Sequence, residues 1–139
     1  MTKITEAHSQ EIDLFNDYRY EKLYKGWHRL KGEDIDPTDT RSVRVIARDE
    51  DKVVGIGRLF LASVDRGEIR DVIADKREVT GDILLYLEQI AQEQYLKSVH
   101  ALVRESSVFP FESAGYTIID EGPILFGMVP QYIMKKDLD

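Results

Sequence analysis

EIRDVIADKREVTGDILLYLEQIAQ, residues 68–92, opens as a strand, crosses a short charged loop and closes as an amphipathic helix. The β-branched residues Ile69, Val72 and Ile73 favour extended backbone over 68–74, whereas Thr80, Gly81 and Asp82 stand where a helix should start. Ile83, Leu84, Leu87, Ile90 and Ala91 then recur at spacings of three and four. That spacing lines one face of a predicted 80–93 helix with apolar side chains. A strand feeding a helix through a tight turn can gather backbone N–H groups around an anion, because the first helical turn leaves its donors unpaired. Residues 76–82 are therefore the candidate functional loop. The same unit is also the ordinary connection of an α/β domain, so it assigns no function by itself.

Toward the N-terminus, SVRVIAR (42–48) and VVGIGRLFL (53–61) are strand runs separated by the turn-like DEDK, which reads as an antiparallel hairpin. Gly55 and Gly57 inside the second run predict a bulge or a close backbone approach. Earlier still, Ser9 is the predicted cap of a helix to about Tyr24 that Gly26 ends. Tyr18, Tyr20 and Tyr24 on that helix either line an acceptor pocket or pack at a core margin. KGEDIDPTDTR (31–41) is an acidic connection, either a solvated loop or a contact for a cationic substrate.

Toward the C-terminus, SVHALV (98–103) is the next strand, and RESSVFPF (104–111) opens a short helix with Pro110 in its first turn. Ser106 or Ser107 is its predicted cap, Ala114 and Gly115 its end, and 116–120 and 131–135 are the last strands. The order is helix, three strands, helix, strand, short helix, two strands. This is an α/β chain of the α+β kind: one domain over 1–139, with a mixed, mostly antiparallel central sheet flanked by helices. The crossover made by the long helix also admits a parallel pair.

The chain has 139 residues, enough for a core without disulfides or metals. It has no cysteine, which excludes a disulfide scaffold and a cysteine nucleophile. His8, His28 and His100 show no metal-ligand spacing, so no metal is expected. A formal charge of −7 argues against nucleic acid and against anionic membrane surfaces as partners. With no apolar run of membrane-spanning length and no secretory leader pattern, the expected setting is cytoplasmic.

VVGIGRL at 53–59, IRDV at 69–72, the glycine-bearing loop entering LLYLEQIA, RESSVFPFESAGY at 104–116 and the closing FGMVPQYIMKKDL together resemble the GNAT superfamily of acyl-CoA N-acyltransferases. The resemblance covers about 41–136. It implies a sheet that splays beside the fourth strand, with the pantetheine arm of acetyl-CoA along that strand, contacting backbone at Val72, Ile73 and Ala74. It places the pyrophosphate on the following loop, where the family pattern falls on Lys76, Arg77, Glu78, Val79, Thr80 and Gly81. Val79 stands where the family has glycine, and a β-branched residue accepts positive φ poorly. Asp82 suits a helix start and competes for the same amides. Phe111 falls where the family often has a proton-donating tyrosine, Leu102 where an asparagine and Gln131 where a histidine is expected.

Attack of an amine on a thioester needs a deprotonated amine, donors for the oxyanion and a route for the proton. Glu68 and Asp71, three residues apart on one strand, are predicted to face opposite sides, and either is a candidate base through water. Tyr116 is the candidate acid, and the Val72 N–H is the oxyanion donor by resemblance. The implied activity is transfer of an acetyl group to a small-molecule or peptide amine in a ternary complex, with a homodimer admitted by exposed sheet edges. The departures from the pattern leave a second reading open: a GNAT-fold module without catalysis, acting in ligand binding or protein interaction.

Overall fold

A computed structural model describes residues 2–138. The elements run β1 (Thr2–Glu6), α1 (Ile12–Leu23), β2 (Val43–Asp49), β3 (Lys52–Leu61), β4 (Arg66–Ala74), α2 (Arg77–Glu93), β5 (Ser98–Arg104), α3 (Val108–Ser113), β6 (Thr117–Glu121) and β7 (Gln131–Asp137). The strands form one seven-stranded sheet in the order β1-β2-β3-β4-β5-β7-β6. Every pairing is antiparallel except β4 with β5, the parallel pair that the α2 crossover admits.

The apolar stripe of α2 explains why that helix covers one face of the sheet. Ile83, Leu84, Leu87 and Ala91 are fully buried, Ile90 packs at the margin, and the same core takes in Val99, Ala101, Val103 and Met134. The helix comes this close because β3 carries glycine beneath it. A Cβ on Gly55 would lie 2.7 Å from Ile83 Cδ1, and one on Gly57 would lie 2.8 Å from Ile83 Cγ2. Two polar residues of α2 are also buried, Thr80 and the charged Glu88. Glu88 accepts from the Tyr116 hydroxyl and from Lys136 Nζ, each at 2.8 Å, so neither carboxylate oxygen is left without a partner.

On the opposite face, α1 places Phe15 and Tyr18 against Ile46 and Ile56. Between β3 and β4 the register slips: Ile56 pairs with Ile73 and Arg58 with Arg70, so Asp71 and Val72 together oppose Gly57. Asp71 takes φ of +58°, a left-handed conformation that an aspartate tolerates better than most side chains. The close approach read into 53–61 is present at Gly55 and Gly57, and β3 has its own irregularity against β2, where Val54 is the extra residue between Gly55 and Val53; the extra residue opposite Gly57 belongs to β4.

Three expectations are corrected. The strand β1 was not anticipated; its Thr-Lys-Ile-Thr alternation is short, and it pairs along β2 at the sheet edge. Ser9 begins a 3-10 turn (Ser9–Glu11) ahead of α1 and caps nothing, and Gly26 sits inside a second such turn (Lys25–Trp27) after α1 has ended. Most consequential, α2 starts at Arg77, so much of what reads as a loop is already helix. Burial of Val79 at the foot of α2, 5% exposed, rewards an earlier start than the Thr-Gly-Asp sequence suggests.

Candidate active site

The parallel ladder between β4 and β5 is short, pairing Arg66, Gly67, Glu68 and Ile69 with Ser98, Val99, His100 and Ala101. Beyond Ile69 the two strands diverge, and among the described residues the β5-facing edge of β4 has no strand partner from Arg70 onward. A cleft of about 280 Å³ opens there, with the Asp71 bulge on one wall and the end of β5 on the other. Val72, Val103, Ser107 and Phe111 line it toward α2 and α3; Tyr24, Asp34, Asp36, Arg58 and Arg104 line it toward α1.

Two buried arginines build the bulge wall. Arg19, on α1, is fully buried and ion-paired to Asp34 at 3.2 Å, Asp39 at 2.8 Å and Asp71 at 3.0 Å. Arg58, on β3, meets Asp71 at 2.6 Å and donates to the Thr38 and Ser42 hydroxyls. A buried guanidinium needs its donors satisfied and its charge matched, and the acidic 31–41 segment supplies both. Burial alone would raise the Asp39 carboxyl, but the Arg19 hydrogen bond, the Asp36 amide and the charges of Arg19 and Arg58 outweigh it, so Asp39 titrates below its ordinary value. Asp36 is lowered similarly: burial opposes, while Thr38, through hydroxyl and amide, and the Arg58 charge win.

Arg104, the last residue of β5, is held differently. Its Nη1 donates to the Leu23 carbonyl at 2.7 Å, and its guanidinium lies 5.6 Å from the Tyr24 ring and 5.5 Å from the Phe126 ring. Burial lowers its pKa, and among the described residues no carboxylate pairs with it. Burial also raises the Tyr24 hydroxyl, reinforced by the charge of Asp71.

The residues expected from sequence are distributed unevenly. Asp71 and Val72 line the cleft; Ile73 packs toward α1 and Ala74 toward α2, with their backbone on the unpaired edge. Glu68 does not line it and is ion-paired with Arg70 at 3.1 Å. The opposite-face expectation for Glu68 and Asp71 is also corrected. The extra residue at the bulge returns Asp71 to the α1 side, where Arg19 and Arg58 hold it. Tyr116 is 2% exposed, packs edge-on against Phe111 at 5.2 Å and donates its hydroxyl hydrogen bond to Glu88, with burial pushing its pKa far up. It lies outside the cleft lining.

At the foot of α2, Lys76 is the N-cap and no side chain caps the helix. Asp82 lies beyond the first turn, so the competition expected from it for the first amides does not occur. Val79 and Thr80 point their N–H groups back to the Lys76 carbonyl, which leaves the amides of Arg77 and Glu78 as the outward donors. Val79 and Gly81 are not in the left-handed region, so the steric objection to Val79 disappears. A depression lined by Arg77, Glu78, Gly81, Pro110, Ser113 and Ala114 lies beside these amides, with Arg77 over the Phe109 ring at 4.5 Å. Sequence reasoning missed Arg19, Arg58 and Arg104, because arginines scattered over three elements leave no local signal.

No family model matches the chain. Among solved structures, it is similar over 99% of its length, and 97% of the other chain, to an aminoglycoside 6'-N-acetyltransferase complexed with coenzyme A, at 15% identity and a TM-score of 0.78. An acetyltransferase of the GNAT family from Staphylococcus aureus matches end to end, 100% of both chains, with 13% identity and a TM-score of 0.80. ElaA from Escherichia coli matches 98% of this chain and 99% of its own at 13% identity, also with a TM-score of 0.80. The fold of this chain is that of the GNAT N-acetyltransferases. Among the described residues no helix is long and apolar enough to cross a membrane.

Proposed function

We propose that the protein is an N-acetyltransferase that moves an acetyl group from acetyl-CoA to an amine by direct transfer in a ternary complex. The observation that carries this reading is the divergence of β4 from β5 at the Asp71 bulge, which leaves unpaired β4 backbone beside a cleft open to both faces of the sheet. Extended pantetheine amides complement such an edge as an added strand would. The uncapped amides of Arg77 and Glu78, with Lys76 and Arg77 beside them, suit the pyrophosphate. The likeness to a coenzyme A complex of the same fold supports the same assignment.

The acceptor enters from the α1 side. Its neutral nitrogen attacks the thioester carbonyl carbon, the C–N bond forms and the C–S bond breaks. The proton shed by nitrogen balances the one that the departing sulfur takes up. The Val72 N–H is the donor we assign to the oxyanion. Asp71 has both arginines on its carboxylate and acts as a positioning residue for the bulge. The hydroxyls of Tyr24 and Ser107, which line the cleft and make no hydrogen bond among the described residues, take the place of the missing tyrosine as proton donors. The same reading sets the protein in the cytoplasm and makes the exposed β6 edge the place for a homodimer contact.

Thermal shift and calorimetric titration with millimolar acetyl-CoA test the proposal, since a ligand selective for the native state raises its stability by mass action. Free-thiol release in the presence of an amine panel tests turnover. Neither heat nor a shift with acetyl-CoA overturns the assignment.

A further inference from the structure

Most cations of the cleft are already committed. Arg58 is paired to Asp71 and Asp39, and Arg70 to Glu68. Arg104 stands apart: one of its nitrogens holds the Leu23 carbonyl, aromatic rings flank it, and its Nε and Nη2 make no hydrogen bond to any described residue. Neither nitrogen is sealed in the core without a partner, so both remain accessible at the cleft. The group is thus a partly desolvated, pre-oriented guanidinium with a two-pronged donor edge left over.

Val99, Ala101 and Val103 of β5 point into the α2-side core, so Arg104, next in alternation, belongs to the α1 side, where it meets Leu23 and Tyr24. That is the acceptor side of the proposed reaction. On the facing wall, Asp34 and Asp36 bring negative charge, and Asp36 is two-fifths exposed on its side chain. The acceptor half of the cleft therefore presents a free cationic fork at one end and carboxylates at the other.

Resting on the N-acetyltransferase reading, we propose that the acceptor is an amine that also carries a carboxylate, an amino acid or a peptide end, and that Arg104 is the residue that selects it. A guanidinium meets a carboxylate through two parallel N–H donors, a geometry an ammonium cannot copy. The nearby aspartates attract the ammonium end and disfavour a doubly charged phosphate in place of the carboxylate.

The test is calorimetric titration of the protein with paired probes that differ by the carboxylate alone: tyrosine and tyramine, phenylalanine and phenethylamine, lysine and cadaverine. In at least one pair the carboxylate-bearing member is expected to bind on the order of tenfold tighter, with the preference lost in Arg104→Gln and reduced in Arg104→Lys. No preference in any pair, or a preference that survives intact in Arg104→Gln, overturns the inference. Should Arg104→Gln fail to fold, Arg104→Lys decides, and an unchanged preference there counts against the proposal. Acetyl transfer to the same probes is read separately. Selective binding without transfer upholds carboxylate selection by Arg104 and counts against the proposed activity; transfer without carboxylate preference does the reverse.

Discussion

Arg58 Nε and Asp71 Oδ2 lie 2.6 Å apart across the β3–β4 bulge, joining the strand that supports α2 to the residue that opens the cleft. The contact fixes an aspartate at positive φ, and the same oxygen takes Arg19 from the other side. Asp71→Ala removes a partner from two buried guanidiniums, with an expected loss of about 3–5 kcal/mol in denaturant unfolding. Asp71→Asn keeps a side chain tolerant of positive φ and one acceptor, and should lose less.

Gly57→Ala tests the seat of α2. The added methyl would meet Ile83 at 2.8 Å and Leu87 and Val72 at 3.1 Å, all core side chains with little room to retreat. Overpacking of this kind costs about 1–3 kcal/mol, measurable as a lower melting temperature.

Val79→Gly, which would restore the family's glycine, gains nothing because Val79 is helical and buried. The expected loss is about 2–4 kcal/mol, from the buried side chain and the helix propensity of glycine together, with no tightening of acetyl-CoA. A tighter titration in a folded variant would show that the foot of α2 rearranges on binding.

Tyr116→Phe separates packing from chemistry. The change leaves the ring against Phe111 but strips one donor from buried Glu88, whose other oxygen keeps Lys136. Stability should fall by about 1–3 kcal/mol, the cost of an unsatisfied buried acceptor. Turnover with acetyl-CoA should be unchanged; a selective fall in kcat would return Tyr116 to the reaction.

Acid unfolding should begin at the α1 wall. Asp39 and Asp36 titrate below their ordinary value of 3.8 when folded. The unfolded chain therefore binds protons first, and the stability these groups confer is complete above that value and lost as the pH falls through their folded pKa. Circular dichroism is expected to show an acid transition below about pH 4 that Asp39→Asn flattens.

The strand runs, the 3.6-residue stripe of α2 and the crossover were legible because each is a local period. Gly55 and Gly57 signalled the close approach of α2, but nothing in 68–74 signalled the extra residue on β4, and one inserted residue overturns the alternation that was read for Asp71. The start of α2 was misplaced because Thr-Gly-Asp imitates a cap, whereas burial of Val79 sets the boundary. The arginine network was invisible for another reason: Arg19, Asp39, Arg58 and Asp71 meet only after folding, across separations that no motif spans.

The short β4–β5 ladder makes the sheet two antiparallel panels joined along a narrow seam, β1 to β4 on one side and β5, β7 and β6 on the other. Panels so joined tilt about the seam more readily than either comes apart, because few hydrogen bonds resist it. Amide exchange should register this as two cooperative blocks, one on each side of the seam. A substrate that wedges between the panels would draw on that compliance, admitting reactants of different girth without unfolding any strand.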